Sequence, residues 1–198
     1  MVDFTGFGQQ KQDDNVTKNR ESFIGGSDIP TILGINKYKK QDELALEKAG
    51  LVEREFITNQ YIQFGNILEP QIRDYINAVN QTNFVEETYI DEEKAIRSNV
   101  DGIDKEENVL LEIKTHGANP TMKVYEVQMQ LYMYQSGAEV GWLALYQRPK
   151  DFDIEFDRNN LRIVEIERDE ELIQDILNKV EAFWRQCQQL RKETTNEN

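Results

Sequence analysis
The segment Asn99-Val100-Asp101-Gly102-Ile103, followed after a polar turn by Leu110-Leu111-Glu112-Ile113-Lys114-Thr115, decides the reading of this chain. Side chains alternate across a β-strand, so Glu112 and Lys114 project from one face while Leu111 and Ile113 project from the other. Asp101 ends an apolar run over 95–100, and the turn residues 104–108 fold that end back beside Glu112 as a hairpin. Two carboxylates and the backbone carbonyl of Ile113 then make a hard-oxygen site suited to Mg2+. Lys114 stands where it can orient an attacking water or help deprotonate it. Such a group suits phosphodiester hydrolysis, in which a cation offsets phosphate charge, activates water and stabilises the leaving oxygen. Spacing alone does not single this reading out. An acid upstream of Glu-x-Lys arises readily by chance, and Glu112 with Lys114 reads more simply as a surface ion pair on a half-buried strand.

Around that segment the texture is mixed. Short β-rich runs cover 84–90, 95–100, 109–115, 141–146 and 162–167. A short helix follows Gly25 and Gly26, with a Ser27/Asp28 cap, Pro30 early and Gly34 as its stop, and a second runs from Asp42 to Ala49 before Gly50. A longer helical region, Thr58–Val79, carries Ile62, Ile72 and Ile76 on an apolar stripe, with a break or kink expected at Gly65 and Pro70. Residues 122–135 form a helix with Val124, Val127, Leu131 and Tyr134 on one face. Asp169 caps a last helix whose stripe includes Ile176, Val180, Phe183 and Cys187, so Cys187 reads as a buried structural thiol. Residues 1–19 lack periodicity and read as a flexible arm, 20–192 as a single domain and 193–198 as a disordered tail.

Composition narrows the chemistry. In 198 residues there is one cysteine and one histidine, His116, which leaves no internal disulfide and no ligand set for zinc or an iron–sulfur cluster. There is no G-x-S-x-G elbow and no glycine-rich phosphate loop. No run approaches the ~20 apolar residues that span a bilayer, and the opening residues lack the basic and apolar regions of a secretion signal, so a cytoplasmic protein with no membrane association is expected. The net charge of −14 argues against a general affinity for nucleic acid. Phosphate contact depends on local charge, however, and the first fifty residues are nearly neutral, with Lys37, Lys39 and Lys40 clustered around Tyr38. That cluster reads equally as solvated surface and as a DNA-backbone contact.

The ordered set Arg20…Ile24-Gly25-Gly26-Ser27-Asp28-Ile29, Phe64-Gly65-Asn66-Ile67-Leu68-Glu69-Pro70, Asp101-Gly102, Leu111-Glu112-Ile113-Lys114 and Val127-Gln128-Met129-Gln130 resembles the phage lambda exonuclease family, also called YqaJ-type viral recombinases. The resemblance covers about residues 20–190. It implies that Asp101 and Glu112 bind metal with the carbonyl of Ile113, that Lys114 is the catalytic lysine, and that Glu69 completes the site through a metal-bound water or a second metal. Gln128 matches the family's glutamine that orients the lysine or the water. Arg20 and Ser27 match the pair that receives a 5′-terminal phosphate, a role that suits a bidentate guanidinium and a hydroxyl donor. The connection from Lys114 to Gln128 is short for the family, and the aromatic residue that often precedes the N-terminal arginine is absent.

The implied fold is an α/β domain with a restriction-endonuclease-like PD-(D/E)xK core, a central mixed β-sheet flanked by helices with the site at one sheet edge. The implied activity is that of a Mg2+-dependent 5′→3′ exonuclease, with Mn2+ able to substitute and one or two ions per site. It digests one strand of linear double-stranded DNA and leaves 3′ single-stranded overhangs. The family also implies a homotrimer ring around DNA and a single-strand annealing protein as partner in phage recombination. Two rival readings stand beside it: an endonuclease or non-processive end nuclease on the same core, and a non-catalytic acidic protein that mimics or binds DNA.

Overall fold
Glu112 and Lys114 lie on Val109–His116, the middle strand of five. The computed structural model describes residues 20–53 and 59–196, the side chains of Arg20 and Asn196 excepted. The expected arm over 1–19 and the expected helix start at Thr58 lie outside the described residues. The strands are β1 (Val85–Asp91), β2 (Ile96–Asp104), β3 (Val109–His116), β4 (Val140–Gln147) and β5 (Leu161–Glu167), adjacent in that order. The β3–β4 pair is parallel and the other three are antiparallel, so the sheet is mixed as expected. A parallel pair needs a crossover, here a helix that also carries Gln128.

The helices are α1 (Ile29–Ile32), α2 (Gln41–Lys48), α3 (Gln60–Asn80), α4 (Met122–Ser136) and α5 (Glu170–Asn196). On one face of the sheet α3 buries Phe64, Leu68, Ile72 and Ile76 against Leu111, Ile113, Ala144 and Tyr146. On the other face α4 buries Met129, Tyr132 and Met133 against Val100, Leu110, Leu143 and Leu145. Behind α4 a second core joins α1, α2 and α5, where Val127 and Leu131 meet Ile29, Leu44, Ile176, Val180 and Phe183. The one apolar face expected for α4 is thus two, because the helix is sandwiched between sheet and helices. Cys187 is fully buried in the outer core, where burial pushes its thiol up and keeps it neutral.

Three boundaries differ from expectation. α3 starts after Asn59, whose side chain accepts from the N–H groups of Tyr61 and Ile62, and it continues unbroken through Gly65 and Pro70. Proline removes the bond to the carbonyl of Asn66, but both residues face solvent, where water can serve that carbonyl. α5 is capped by Asp169, which accepts from Leu172 N–H at 3.0 Å, and it runs to Asn196, so 193–196 are helical where a disordered tail is expected. β2 continues past Val100 to Asp104, which places Asp101 inside a strand. The site lies on the second and third strands, not at an outer edge of the sheet.

Candidate active site
β2 and β3 pair only over Gly102–Leu111, Ile103–Leu110 and Asp104–Val109, whereas β3 pairs with β4 as far as His116. Beyond Leu111 the two strands part. The Asp104 carboxylate closes the hairpin at the other end, accepting from the N–H groups of Glu106 at 3.0 Å, Glu107 at 3.2 Å and Asn83 at 2.7 Å. Along β1 the register slips between Val85 and Glu87, leaving Asp101 and Gly102 opposite the single residue Glu86. This bulge breaks the alternation of β2, so that Val100 and Ile103, three residues apart, enter the same core. It also aims Asp101 into the gap, where its carboxylate accepts from Ile113 N–H at 2.8 Å. A strand residue presents its N–H and C=O to the same side, so the carbonyl of Ile113 faces that gap as well. Arg73 on α3 holds the bulge: it donates to the backbone carbonyl of Asp101 at 2.5 Å, to Glu69 at 3.5 Å and to Glu86.

Glu112 is buried, 1% exposed, on the face of β3 toward α4. Its Oε1 receives both the Lys114 ammonium and the Gln128 amide, the latter at 2.8 Å, while Oε2 is buried with no hydrogen-bond partner. Burial and then the nearby Asp101 carboxylate push Glu112 up to about 8. Burial raises Asp101 too, against the pull of Lys114. Glu69 is pushed up to about 7, by burial first and Asp101 second. Burial alone would lower Lys114, but Glu112 and Asp101 outweigh it and hold the ammonium form firmly. Negative charge is therefore crowded here beyond what one lysine relieves.

Among the described residues no three His, Cys, Asp or Glu side chains close into an ion cage. Asp101 and Glu112 form a pair that Glu69 influences by charge. The donor set that fits a hard cation is this pair with the Ile113 carbonyl, and the unpartnered Oε2 of Glu112 is the atom that most needs one.

A cleft adjoins the gap. On the side of β2 that β3 has left, Ile24 forms a parallel bridge with Ile96, and the cleft beyond it is lined by Gly25, Gly26, Ser27, Arg97, Asn99 and Tyr132. Ser27 is exposed in the turn Gly26–Asp28, and the side chain that closes this turn is Asp28, which accepts from Gly25 N–H at 3.1 Å. Lys48 secures Asp28 from α2 at 2.9 Å and donates to the carbonyl of Phe23 at 2.5 Å, both charges being buried. The side chain of Arg20 lies outside the described residues. Lys37, Lys39 and Lys40 sit on the loop between α1 and α2, where Lys39 is paired with Glu47 at 2.5 Å and Tyr38 is 96% exposed. They share no contact with the carboxylate pair among the described residues.

The structure thus brings Asp101, Glu112, Lys114, Ile113 and Gln128 together, sets Glu69 beside them and Ser27 in the adjoining cleft, and leaves the lysine cluster apart. Arg73 and Tyr132 are additions. Each lies four residues along a helix from a singled-out partner, Glu69 and Gln128, and that spacing is the signal that identifies a shared helix face.

The chain matches the YqaJ-like viral recombinase domain over residues 17–139. It is 32% identical over 170 residues to the uncharacterized protein YqaJ of Bacillus subtilis (strain 168), covering 83% of this chain and 53% of that protein. The chain therefore spans about half the length of this curated relative. Two solved structures share the fold. A phage-related exonuclease from Haemophilus somnus 129PT superposes with a TM-score of 0.71 at 20% identity, covering 87% of this chain and 96% of the other. An alkaline exonuclease from Laribacter hongkongensis, LHK-Exo, superposes with a TM-score of 0.72 at 22% identity, covering 90% and 94%; its complex with dAMP gives 0.73. Among the described residues no helix is long and apolar enough to cross a membrane.

Proposed function
The chain belongs to the YqaJ-like viral recombinase family, and on that premise we propose that it is a Mg2+-dependent 5′→3′ exonuclease acting on linear double-stranded DNA. The observation that carries this reading is the buried Oε2 of Glu112, unpartnered beside Asp101 while Lys114 and Gln128 hold the other oxygen. Asp101, Glu112 and the carbonyl of Ile113 would hold Mg2+, or Mn2+ in its place, and Glu69 would complete the site through water or a second ion. When bound, the cation supplies charge neutralisation at the phosphate and a more acidic water. Lys114 holds an ammonium beside Glu112 and positions the nucleophilic water, and Gln128 fixes the Glu112 carboxylate. Ser27 receives the 5′-terminal phosphate in the adjoining cleft, Arg20 shares that role as the family resemblance implies, and Lys37 and Lys40 contact the duplex backbone.

The proposal extends to assembly. A homotrimer ring enclosing the duplex would retain DNA topologically, which suits a chain whose net charge of −14 repels it. The overhangs would pass to a single-strand annealing protein during phage recombination in the bacterial cytoplasm. Family membership supports both statements.

The test is digestion of linear duplex labelled at the 5′ or the 3′ end, with Mg2+ or EDTA, by wild type and Lys114→Ala. Mg2+-dependent loss from 5′-phosphorylated ends, reduced by about two to four orders of magnitude in the variant, is expected. Cleavage of closed circles would make it an endonuclease. Failure of folded wild type to cleave any DNA would leave a binding protein on a nuclease fold.

A further inference from the structure
Tyr132 stands between the glycine cleft and the carboxylate pair. It is 5% exposed, and its ring lies flush with the turn at Gly26, where a Cβ would come within 2.4 Å of the ring edge. Its hydroxyl oxygen accepts from the Gln128 side-chain amide at 2.7 Å. The same nitrogen donates its other hydrogen to Glu112 Oε1 at 2.8 Å. Gln128 and Tyr132 are four residues apart on α4, so one helix face carries the first two members of this link, and Glu112 on β3 is the third. The turn that forms the cleft is braced by the buried Lys48–Asp28 pair, and the Tyr132 ring lines the same cleft, so the ring is one of the walls that a ligand there would meet.

We propose that Tyr132 is a positioning residue that ties occupation of the cleft at Gly25–Ser27 by a 5′-terminal phosphate to the orientation of Glu112, through the Gln128 amide. This rests on the exonuclease reading given above. A tyrosine present only for packing would need its ring and not its hydroxyl, because the ring alone fills the space beside Gly26. The hydroxyl satisfies one amide hydrogen of Gln128, which leaves the other directed at Glu112 and prevents the amide from turning away. The link makes end recognition and hydrolysis interdependent: a strand with no terminal phosphate leaves the ring unloaded and Glu112 less well held.

The experiment compares wild type, Tyr132→Phe, Gln128→Ala and the double variant on linear duplexes that end in a 5′-phosphate or a 5′-hydroxyl, with kcat and KM measured separately. Wild type is expected to prefer the phosphorylated end. Tyr132→Phe, with an unchanged melting temperature, is expected to lose about tenfold or more in kcat on phosphorylated ends, with KM little changed, so that the preference collapses. The double variant is expected to be no worse than Gln128→Ala, since both substitutions cut one link. A wild-type preference in Tyr132→Phe, or multiplicative losses in the double variant, would overturn the proposal. Should Tyr132→Phe not fold, Gln128→Ala reads the same link, and an undiminished end preference there overturns it equally. A wild type that cleaves both ends alike refutes end recognition itself, a result distinct from failure of the link.

Discussion

Asp101 is held in a place that works against its charge. Burial opposes its ionisation, and Lys114, the Ile113 N–H, Glu112 and Arg73 offset that only in part, so its carboxyl stays above the usual value. On the proposed reading, removing that charge would relieve the fold while disabling the site, the usual conflict between a functional residue and stability. Asp101→Asn, which keeps an acceptor for Ile113 N–H, is expected to melt at or above the wild-type temperature in EDTA. With Mg2+ present, wild type is expected to gain stability, by about 2.7 kcal/mol at a hundredfold excess over Kd, and the variant to gain little. Differential scanning calorimetry in both conditions checks this; an equal metal-induced shift in the two proteins would place the ion elsewhere.

At the scale of elements, two polar devices set the geometry around the site. The first is the Lys48–Asp28 pair, which ties α2 to the turn at Gly25–Ser27, while Arg191 on α5 holds the carbonyls of Lys48 and Ala49 at 2.6 and 3.0 Å. Breaking a buried ion pair strands the remaining charge, so Lys48→Met is expected to cost about 3–5 kcal/mol in urea unfolding. A loss within the range of a surface substitution would show that the pair is not a brace. The second is Asp104, whose three N–H donors, led by Asn83, hold its carboxyl below the usual value of 3.8. A depressed folded pKa contributes stability that is present above the unfolded value and is lost as pH falls through the folded one. The stability gap between wild type and Asp104→Asn is therefore expected to be full at pH 6 and to shrink below about pH 4. A gap independent of pH would assign the effect to hydrogen bonding alone.

For the whole molecule the controlling quantity is charge. Under the proposed function a chain at −14 would meet a polyanion, so its contacts with DNA would depend on the few cations that local structure leaves exposed. Lys37 and Lys40 are exposed, whereas Lys39 is engaged by Glu47. Replacing Lys37 or Lys40 with alanine is expected to lower the slope of log K against log salt by about one unit each, and Lys39→Ala to change it little. Fluorescence anisotropy with a labelled duplex over a salt series measures those slopes; three unchanged slopes would return the cluster to solvated surface.

Alternation along 109–115 was legible from residue order, because successive side chains of a strand take opposite faces, which separates Glu112 and Lys114 from Leu111 and Ile113. The stripe of α5 and its Asp169 cap were legible for the same reason, since helical periodicity and capping are local. The family likeness came from motifs such as Leu111-Glu112-Ile113-Lys114 standing in order along the chain. Tertiary structure decided the rest. The bulge opposite Glu86 exists only once β1 and β2 pair, and it is what turns Asp101 toward Ile113. The continuity of α3 through Pro70 depends on the sheet that buries Leu68 and Ile72, a stabilisation that outweighs a local breaker. The exclusion of Glu69 from a side-chain cage, the second buried face of α4 and the place of Tyr132 between cleft and carboxylates likewise depend on distances between segments. Local order specifies which faces residues occupy; only packing specifies which faces meet.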